Sequence, residues 1–232
     1  MSDARQIPLS FALPSPKYAR QDFIVGEANK GALAMANRWM KSSEERLAIC
    51  GAEGAGKTHL AQIILNEFNA AYLQLTGRDI TGAPGEILPD GIQCLLIDDV
   101  HLVEDGAALL MFIEECLTRS IRIILSGRGQ PADWSRGLKD LQTRLDAMPR
   151  INLFEPDEAL LTALIHKLFN DRQLRVEPTV GAYAAPRLPR TFAAAQAFVA
   201  AVDAETAQKH ARITKVLAGK VINNLSVGAS RS

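Results

Sequence analysis

The sequence contains few cysteines and few aromatic residues, its net charge is zero, and it has no long apolar run. Its three cysteines, Cys50, Cys94 and Cys116, include no CxxC pair, so they predict neither a disulfide framework nor a zinc site. We expect reduced, buried thiols, as in a cytoplasmic protein. The four histidines also lack the spacing of metal ligands.

Positive and negative charges are equal in number, with 26 Lys and Arg against 26 Asp and Glu. Proteins that hold DNA mainly through its phosphates usually have an excess of basic residues, so this balance argues against a dedicated DNA-binding protein. No apolar run approaches the roughly 18 residues of a membrane span, and the first residues lack a signal-peptide pattern. We therefore expect no membrane partner.

The remaining composition is that of a folded globular chain of 232 residues, 47% hydrophobic and 22% charged. Short, continuous apolar runs alternate with segments of helical periodicity. Strands buried on both faces produce such runs, so the pattern predicts an α/β fold with helices on both faces of a parallel sheet. The predicted strands are 47–50, 70–75, 94–97, 122–125 and 151–154.

The strand pattern ends near Pro156, and helical periodicity replaces it. Asp157 lies at an N-cap position before an apolar stripe of helical spacing. Further helices are predicted at 178–185, 191–208 and 214–223. We predict four parts in order: a flexible leader at 1–15, an α/β domain at 16–155, a small all-α domain at 156–225 and a disordered tail at 226–232.

The segment Gly51–Thr58 fits the pattern GxxxxGK[ST] between a predicted strand and a predicted helix, which is the context that a phosphate-binding loop requires. Glycines let successive backbone N–H groups turn towards phosphate oxygens, and the helix N-terminus adds positive charge. Lys57 is suited to the β- and γ-phosphates, and the Thr58 hydroxyl to Mg²⁺. The pattern predicts a nucleotide site, with a cradle formed by Gly51, Gly54, Ala55 and Gly56.

Three polar residues follow two of the predicted strands. Asp98 ends the strand at 94–97, where a phosphate-loop protein needs a carboxylate to hold Mg²⁺. Asp99 is next to it and is a candidate general base for the attacking water, for which we expect slow hydrolysis. Ser126 ends the next strand, where its hydroxyl would lie between these acids and the γ-phosphate.

Two arginines are candidates for contact with phosphate. Arg144 lies in the segment Leu138–Leu145 before the fifth predicted strand, and Arg190 lies at the start of a helix in the predicted all-α domain. A guanidinium neutralises charge on a transferring phosphoryl group, either in its own molecule or in a neighbouring one. Spacing alone leaves open that both are solvated surface residues.

Together these features resemble the AAA+ ATPases, and more narrowly the nucleotide-binding domain of the bacterial replication initiator DnaA. The resemblance covers roughly residues 15–224, and its most specific segments are Pro16–Tyr18, Phe23–Gly26, Gly54–Leu60 and Leu96–Val100. It implies an AAA+ sheet domain followed by a helical lid. DnaA has a DNA-binding domain after its lid, for which a chain ending at residue 232 has no room, so we expect a DnaA-related regulator without that domain.

The resemblance also implies roles for individual residues. Arg144 matches an arginine finger that acts in trans on nucleotide bound by DnaA, and Arg190 matches a lid arginine that contacts the chain's own nucleotide. Ser126 matches a sensor position beside the γ-phosphate. The implied ligand is ADP or ATP with Mg²⁺. Three further positions are implied near the nucleotide: Phe23, Val25 and His59.

The first residues resemble a different motif. Gln6–Phe11 reads Q-I-P-L-S-F and is similar to the Q-x-x-L-x-[FL] peptide that binds the β sliding clamp of DNA polymerase III. In such a peptide, Gln6 fixes the register, and Ile7, Leu9 and Phe11 fill an apolar groove. The expected partners are therefore the clamp and DnaA, without direct sequence-specific binding to DNA.

The implied function is negative regulation of chromosomal replication initiation, by stimulation of hydrolysis of DnaA-bound ATP at the DNA-loaded clamp. The chain's own ATPase is expected to be weak or absent. One alternative is a stand-alone AAA+ ATPase that loads or remodels a replicative helicase and assembles with itself through Arg144. Another is an interaction module with a structural nucleotide, and a homodimer remains open. The segment Gly77–Gly91, rich in Gly and Pro, predicts no function.

Overall fold

The structure, a computed structural model, describes residue 20, residues 23–209 and residues 213–229. The predicted clamp peptide, Gln6–Phe11, lies outside these ranges. The described chain divides into two compact units that alternate along the sequence. The first is built mainly from Trp39–Ile49 and Thr58–Arg150, and the second from Ile24–Arg38, Cys50–Lys57 and the chain from Ile151 onward.

Helices and strands alternate through the first two thirds of the chain, and helices follow. The strands are β1 (Arg46–Gly51), β2 (Tyr72–Thr76), β3 (Cys94–Asp98), β4 (Arg122–Gly127) and β5 (Arg150–Leu153). The longer helices are α1 (Glu27–Met40), α2 (Lys57–Phe68), α4 (Gly106–Thr118), α5 (Lys139–Asp146), α6 (Glu158–Asp171), α8 (Phe192–Lys209) and α9 (Lys215–Ala229). Two shorter helices are α3 (Pro84–Ile87) and α7 (Pro178–Ala184).

The five strands form one sheet in the order β2-β3-β4-β1-β5. β3 pairs in parallel with both β2 and β4, and the last pair of its register with β4 is Ile97 with Leu125. The next residue on each strand is therefore Asp98 on β3 and Ser126 on β4. Because carboxyl ends of parallel strands meet at one edge of the sheet, the two polar residues lie side by side there.

The core of the first unit is formed by apolar strands and the helices beside them. Every residue of β3 is buried, and β4 is buried from its second residue onward. The Asp105 carboxylate caps α4 by accepting the backbone N–H groups of Ala107 and Ala108. Phe112 and Trp134 are completely buried, and the Trp134 indole N–H donates to the Arg128 carbonyl at 2.6 Å.

The second unit has a separate helical core. The Asp157 carboxylate caps α6 by accepting the Leu160 N–H at 2.7 Å, so the N-cap predicted from the sequence is confirmed. Phe169 on α6 and Phe198 on α8 pack edge to face, with ring centroids 6.1 Å apart. The buried residues around them come from four helices and include Leu161, Ile165, Val180, Val199, Val202 and Val221.

Two details differ from the sequence pattern, and the structure adds a contact to a segment for which the pattern makes no prediction. The pattern does not predict α5, since Leu141 and Leu145 are its only large apolar residues. Helix α9 extends to Ala229, inside the segment 226–232 that is predicted to be a tail, because no proline interrupts it and its one glycine there costs only about 1 kcal/mol. The segment Gly77–Gly91 is ordered by Arg119, whose guanidinium donates to the carbonyls of two of its residues, Leu88 and Pro89.

The three cysteines are buried and none is part of a disulfide, in agreement with the predicted reduced thiols. Burial raises the pKa of Cys94 and of Cys116 to about 12, so both thiols stay protonated and unreactive at neutral pH. Among the described residues, no group of His, Cys, Asp and Glu side chains is arranged to hold a metal ion by itself. Within the same residues, no helix has the length and apolarity of a membrane span.

Candidate functional site

Asp98 is the centre of a buried polar cluster in the first unit. The Thr58 hydroxyl donates to Asp98 Oδ2 at 2.7 Å, and the Ser126 hydroxyl donates to Asp98 Oδ1. The backbone N–H of Asp99 also donates to Oδ1, at 3.0 Å. Asp98 is 8% exposed and Ser126 is completely buried. The fold thus brings together Thr58, Asp98 and Ser126, and three donors fix the orientation of the Asp98 carboxylate.

Asp99 has a different environment from its neighbour. Its backbone is in the left-handed region, with φ 50° and ψ 40°, a conformation that Asp tolerates better than most residues. Its side chain is 50% exposed and lies 3.8 Å from His101 Nδ1, which accepts the backbone N–H of Arg128. Two consecutive aspartates therefore differ in access to water: Asp98 is enclosed, whereas Asp99 meets solvent. The general-base role of Asp99 stays a prediction.

The phosphate loop, Gly51–Thr58, connects the end of β1 to the start of α2. Gly54 and Gly56 have φ angles of +72° and +92°, which L-amino acids with a side chain rarely adopt. Between them, Ala55 is buried, and its N–H donates to the Ala52 carbonyl at 3.3 Å. Gly56, a fixed glycine of the pattern GxxxxGK[ST], and Gly54, at one of its variable positions, thus both lie where the backbone turns.

The start of α8 packs directly on this loop within the second unit. The Phe192 N–H donates to the Gly54 carbonyl at 3.2 Å. A methyl group added at Gly54 would lie 2.7 Å from Thr191 Cβ, and one added at Gly56 would lie 3.3 Å from the Phe192 ring. Both glycines therefore serve two purposes, since a side chain would conflict with the backbone turn and with α8.

Lys57, the first residue of α2, is buried at 7% exposure despite its charge. Its ammonium group donates to the Ala52 carbonyl at 2.9 Å, so the positive charge lies inside the curve of the phosphate loop. Thr58 follows it directly in the chain and belongs to the Asp98 cluster. The loop therefore ends in a cation and a hydroxyl that the sequence assigns to phosphate and to Mg²⁺.

The oxygen atoms at Thr58 and Asp98 fit a magnesium ion. Mg²⁺ prefers hard oxygen ligands and usually takes only one or two from the protein, with phosphate and water completing its shell. The Thr58 hydroxyl and the Asp98 carboxylate are within 2.7 Å of each other and are fixed by their neighbours. The donor set is therefore chemically suitable, and both residues come from the first unit.

The three further residues implied near the nucleotide lie in different environments. Phe23 is 7% exposed, and its ring meets the His59 ring edge to face, with centroids 5.3 Å apart. Val25 is 53% exposed. The backbone beside it is held by Asn29, which accepts the Gly26 N–H and donates to the Ile24 carbonyl, both at 2.8 Å. Contact of Phe23, Val25 and His59 with a nucleotide stays a prediction.

Both candidate arginines are exposed. Arg190 lies just before the two residues that pack on the phosphate loop. Arg144 is in the last turn of α5, and its side chain is 48% exposed. Its Nε lies 2.8 Å from Oε1 of Glu114 on α4. The two arginines thus lie in different units, and their roles towards phosphate stay predictions.

Three residues of these clusters, Thr191, Phe192 and Glu114, belong to no motif that identifies them in the sequence. Thr191 and Phe192 follow Arg190 directly, and the glycines at 54 and 56 indicate that some close neighbour must exist without identifying it. Glu114 has no sequence signal, because it is distant from Arg144 along the chain and belongs to an ordinary amphipathic helix. Only the packing of α4 beside α5 brings Glu114 and Arg144 together.

Replacing Gly54 with alanine is expected to lower the free energy of unfolding by about 1–3 kcal/mol, because the methyl group opposes both the left-handed backbone and Thr191. Gly31→Ala is the matched control, since Gly31 lies inside α1 with nothing within 4 Å, and should stabilise by about 0.5–1 kcal/mol. Urea denaturation measures both. Adding Thr191→Ala should restore part of the loss, whereas an unchanged midpoint for Gly54→Ala would contradict this account of the loop.

The five-stranded parallel sheet, its flanking helices and the helical segment after it define the chain as an AAA+ α/β fold. Domain III of the replication initiation protein DnaA from Thermotoga maritima is similar over 92% of this chain and 98% of that one, with a TM-score of 0.80 and 19% identity. AMPPCP-bound DnaA from Aquifex aeolicus has a TM-score of 0.69 and 20% identity, over 83% and 67% of the two chains.

The fold is not restricted to initiators. The RuvB Holliday junction branch migration motor from Thermotoga maritima has a TM-score of 0.72 and 21% identity, over 90% of this chain and 72% of that one. No protein-family model matches the sequence, and no curated protein matches it either. At these identities the comparisons establish a DnaA-like AAA+ fold.

Proposed function

We propose that the chain binds ADP or ATP with Mg²⁺ at the phosphate loop. The proposal is supported by the backbone turns at Gly54 and Gly56, the enclosed ammonium group of Lys57 and the oriented carboxylate of Asp98. Lys57 neutralises phosphate charge, while Thr58 and Asp98 hold the metal ion. When bound, Mg²⁺ supplies positive charge to the phosphate oxygens. Ser126 holds the Asp98 carboxylate in place.

We further propose that the chain is a DnaA-related regulator of the Hda type, which inactivates DnaA by stimulating hydrolysis of its bound ATP. The observation that carries this proposal is the exposed Arg144 at the end of α5, in a chain with the fold of DnaA domain III. An exposed guanidinium is able to reach nucleotide held by another molecule. In other systems an arginine finger raises the hydrolysis rate by about 10³- to 10⁵-fold.

Arg144 is suited to this role by its chemistry and its position. The guanidinium is always charged at neutral pH, and its planar set of donors matches phosphate oxygens in pairs. The buried side chains of Leu141 and Leu145 anchor α5, so the helix backbone that presents Arg144 is fixed. In the proposed complex, the chain's own nucleotide need not be hydrolysed, since the catalysed reaction occurs on DnaA.

The proposed tether is the segment Gln6–Phe11, which would bind the β sliding clamp on DNA. An extended peptide with one glutamine and apolar residues at alternate positions is suited to a groove on a partner. A tether also replaces free diffusion by an effective concentration in the millimolar range when the linker is short. A modest affinity of Arg144 and its surroundings for DnaA would then suffice at the clamp.

The experiment that tests this function measures phosphate release from ATP-loaded DnaA, with and without DNA-loaded clamp. We expect stimulation only when both this chain and the clamp are present. A Gln6→Ala/Phe11→Ala variant should lose at least tenfold in stimulation, since both the register contact and an apolar anchor are removed. A Ser2→Ala/Asp3→Ala variant is the control in the same segment. Equal stimulation with and without clamp would contradict the tether.

The alternative, a stand-alone ATPase that loads or remodels a helicase, predicts a different result. Purified protein would then turn over ATP in the absence of DnaA and clamp, and Arg144 would act between copies of the chain. Self-stimulated turnover that increases with protein concentration would favour this alternative, and the clamp-like peptide would then have no assigned purpose.

A further inference from the structure

The pairing of Arg144 with Glu114 goes beyond the role assigned to the arginine alone. Arg144 Nε and Glu114 Oε1 are 2.8 Å apart, and the two side chains are 48% and 44% exposed. A partner molecule therefore meets a carboxylate and a guanidinium together at this surface. The positive charge of Arg144 therefore acts in the presence of the negative charge of Glu114.

The packing of the two helices makes this pairing a fixed feature of the surface. Gly106, the first residue of α4, lies so close to α5 that an added methyl group would be 3.5 Å from Leu141. Leu141 is buried one turn before Arg144, and Phe112 and Ile113 are buried residues of α4 that directly precede Glu114. The two helices therefore hold the Glu114 and Arg144 backbones in reach of each other.

Electrostatics sets the consequence of the pairing. A carboxylate at this distance cancels much of the field of the guanidinium and repels an approaching phosphate group. Exposed ion pairs are weak, so a group with more negative charge than a carboxylate is able to displace Glu114. A nucleoside triphosphate complexed by a second AAA+ chain is such a group. The incoming phosphate group must therefore compete with Glu114 for the Arg144 guanidinium.

We propose that Glu114 is a positioning residue, which retains the Arg144 guanidinium on α4 until a phosphate group on a partner chain replaces it. The inference rests on the proposed function, in which Arg144 acts in trans. Glu114 raises the concentration of this chain that is needed for Arg144 to bind phosphate on the partner. It does not change the bound complex, because there the guanidinium contacts phosphate and not Glu114. It thereby limits stimulation at low concentrations of this chain.

The test compares Glu114→Gln with wild type in the stimulation of hydrolysis by ATP-loaded DnaA at the clamp. We expect the concentration for half-maximal stimulation to fall by roughly 2- to 5-fold, the range for loss of an exposed ion pair. The maximal stimulated rate should stay the same. The difference should shrink as salt is raised, since salt screens charges at the surface. An unchanged or increased half-maximal concentration would overturn the proposal.

Glu115→Gln is the matched control. It is the next residue of α4, is 38% exposed and pairs with Arg119, with the two side chains 3.9 Å apart. It removes the same charge from the same helix without touching Arg144, so it should leave the half-maximal concentration unchanged. An equal gain with both variants would mean that net charge, and not the pairing, is responsible, which would also overturn the proposal.

A second measurement separates this inference from the function on which it rests. In the isolated protein, the Nε–H resonance of Arg144, identified by its absence in Arg144→Lys, should shift and exchange faster with water in Glu114→Gln. If wild type fails to stimulate DnaA, the proposed function fails, and this resonance still decides whether Glu114 retains the guanidinium. An Arg144 signal that is the same in both proteins would remove the basis for the positioning role.

Discussion

Replacing Arg144 with alanine should abolish clamp-dependent stimulation of ATP hydrolysis on DnaA, with a loss of about 10³-fold or more, while the protein stays folded. The side chain is exposed at the end of α5 and is not part of the core, which lies at Leu141 and Leu145. Its ion pair with Glu114 lies at the surface and contributes about 0–1 kcal/mol to stability. The expected result is thus a large loss of function at nearly unchanged stability.

The size of the effect follows from where the charge acts. A guanidinium neutralises the negative charge on the transferring phosphoryl group only when the guanidinium is correctly placed. No ion from solvent takes the place of the arginine there. Arg144→Lys retains a positive charge but loses the planar set of donors, so we expect partial activity at best. Single-turnover hydrolysis on pre-loaded DnaA, with denaturation curves for each variant, measures the two quantities separately.

Arg38→Ala is the matched control, since Arg38 is an exposed arginine in the last turn of another helix, α1. It should stimulate as wild type does. Full stimulation by folded Arg144→Ala would contradict a role of Arg144 in the reaction. Comparable losses in Arg144→Ala and Arg38→Ala would indicate a general need for positive charge.

Replacing Lys57 with alanine should weaken nucleotide binding by roughly 100-fold, the upper range for loss of a charge-assisted contact. The ammonium group of Lys57 is enclosed by the phosphate loop and donates to the Ala52 carbonyl. In the proposed complex it exchanges this carbonyl for phosphate oxygens. The loss of a fixed positive charge from a buried position leaves the phosphates without the counter-charge that the loop lysine supplies.

Ligand-dependent stability is a convenient measure of this loss. Nucleotide at about 100 times its dissociation constant stabilises the folded wild type by about 2.7 kcal/mol, or roughly 5–10 °C in Tm for a chain of this length. After a 100-fold loss of affinity, the same nucleotide concentration contributes only about 0.4 kcal/mol. Thermal denaturation with and without ATP and Mg²⁺ measures both proteins, and direct titration gives the dissociation constants.

Lys215→Ala serves as the control for this variant, because Lys215 is an exposed lysine at the start of α9. It should retain the full nucleotide-dependent shift in Tm. A Lys57→Ala protein that is stabilised by nucleotide as strongly as wild type would contradict the assignment of the loop as the phosphate site.

The sheet and the phosphate loop are the parts of the structure that the sequence predicts well. Runs such as Cys94–Ile97 and Arg122–Leu125 are continuous because the strands they form are buried on both faces, and the structure has them as β3 and β4. The loop motif is predictable for a related reason. The backbone turns at Gly54 and Gly56 exclude most side chains, so glycine at these positions in the sequence indicates where the loop turns.

Contacts between segments that are distant along the chain are the parts that the sequence does not predict. Ser126 is predicted near the acids, but its hydrogen bond to Asp98 depends on the register of β4 against β3. The approach of Thr191 to Gly54 and the pairing of Glu114 with Arg144 depend on how helices pack, which no local pattern contains. The sequence also does not predict the left-handed backbone at Asp99, since Asp occurs commonly in other conformations.

The measurement that tests the central claim most directly identifies the chain on which ATP is hydrolysed. DnaA is loaded with ATP labelled at its γ-phosphate, freed of unbound nucleotide and mixed with DNA-loaded clamp and this protein, and labelled phosphate is followed over one turnover. We expect rapid release of the DnaA label with wild type and with Arg38→Ala, and release at the unstimulated rate with Arg144→Ala. Label that stays on DnaA with wild type, while the chain hydrolyses its own added ATP, would contradict the proposed regulator.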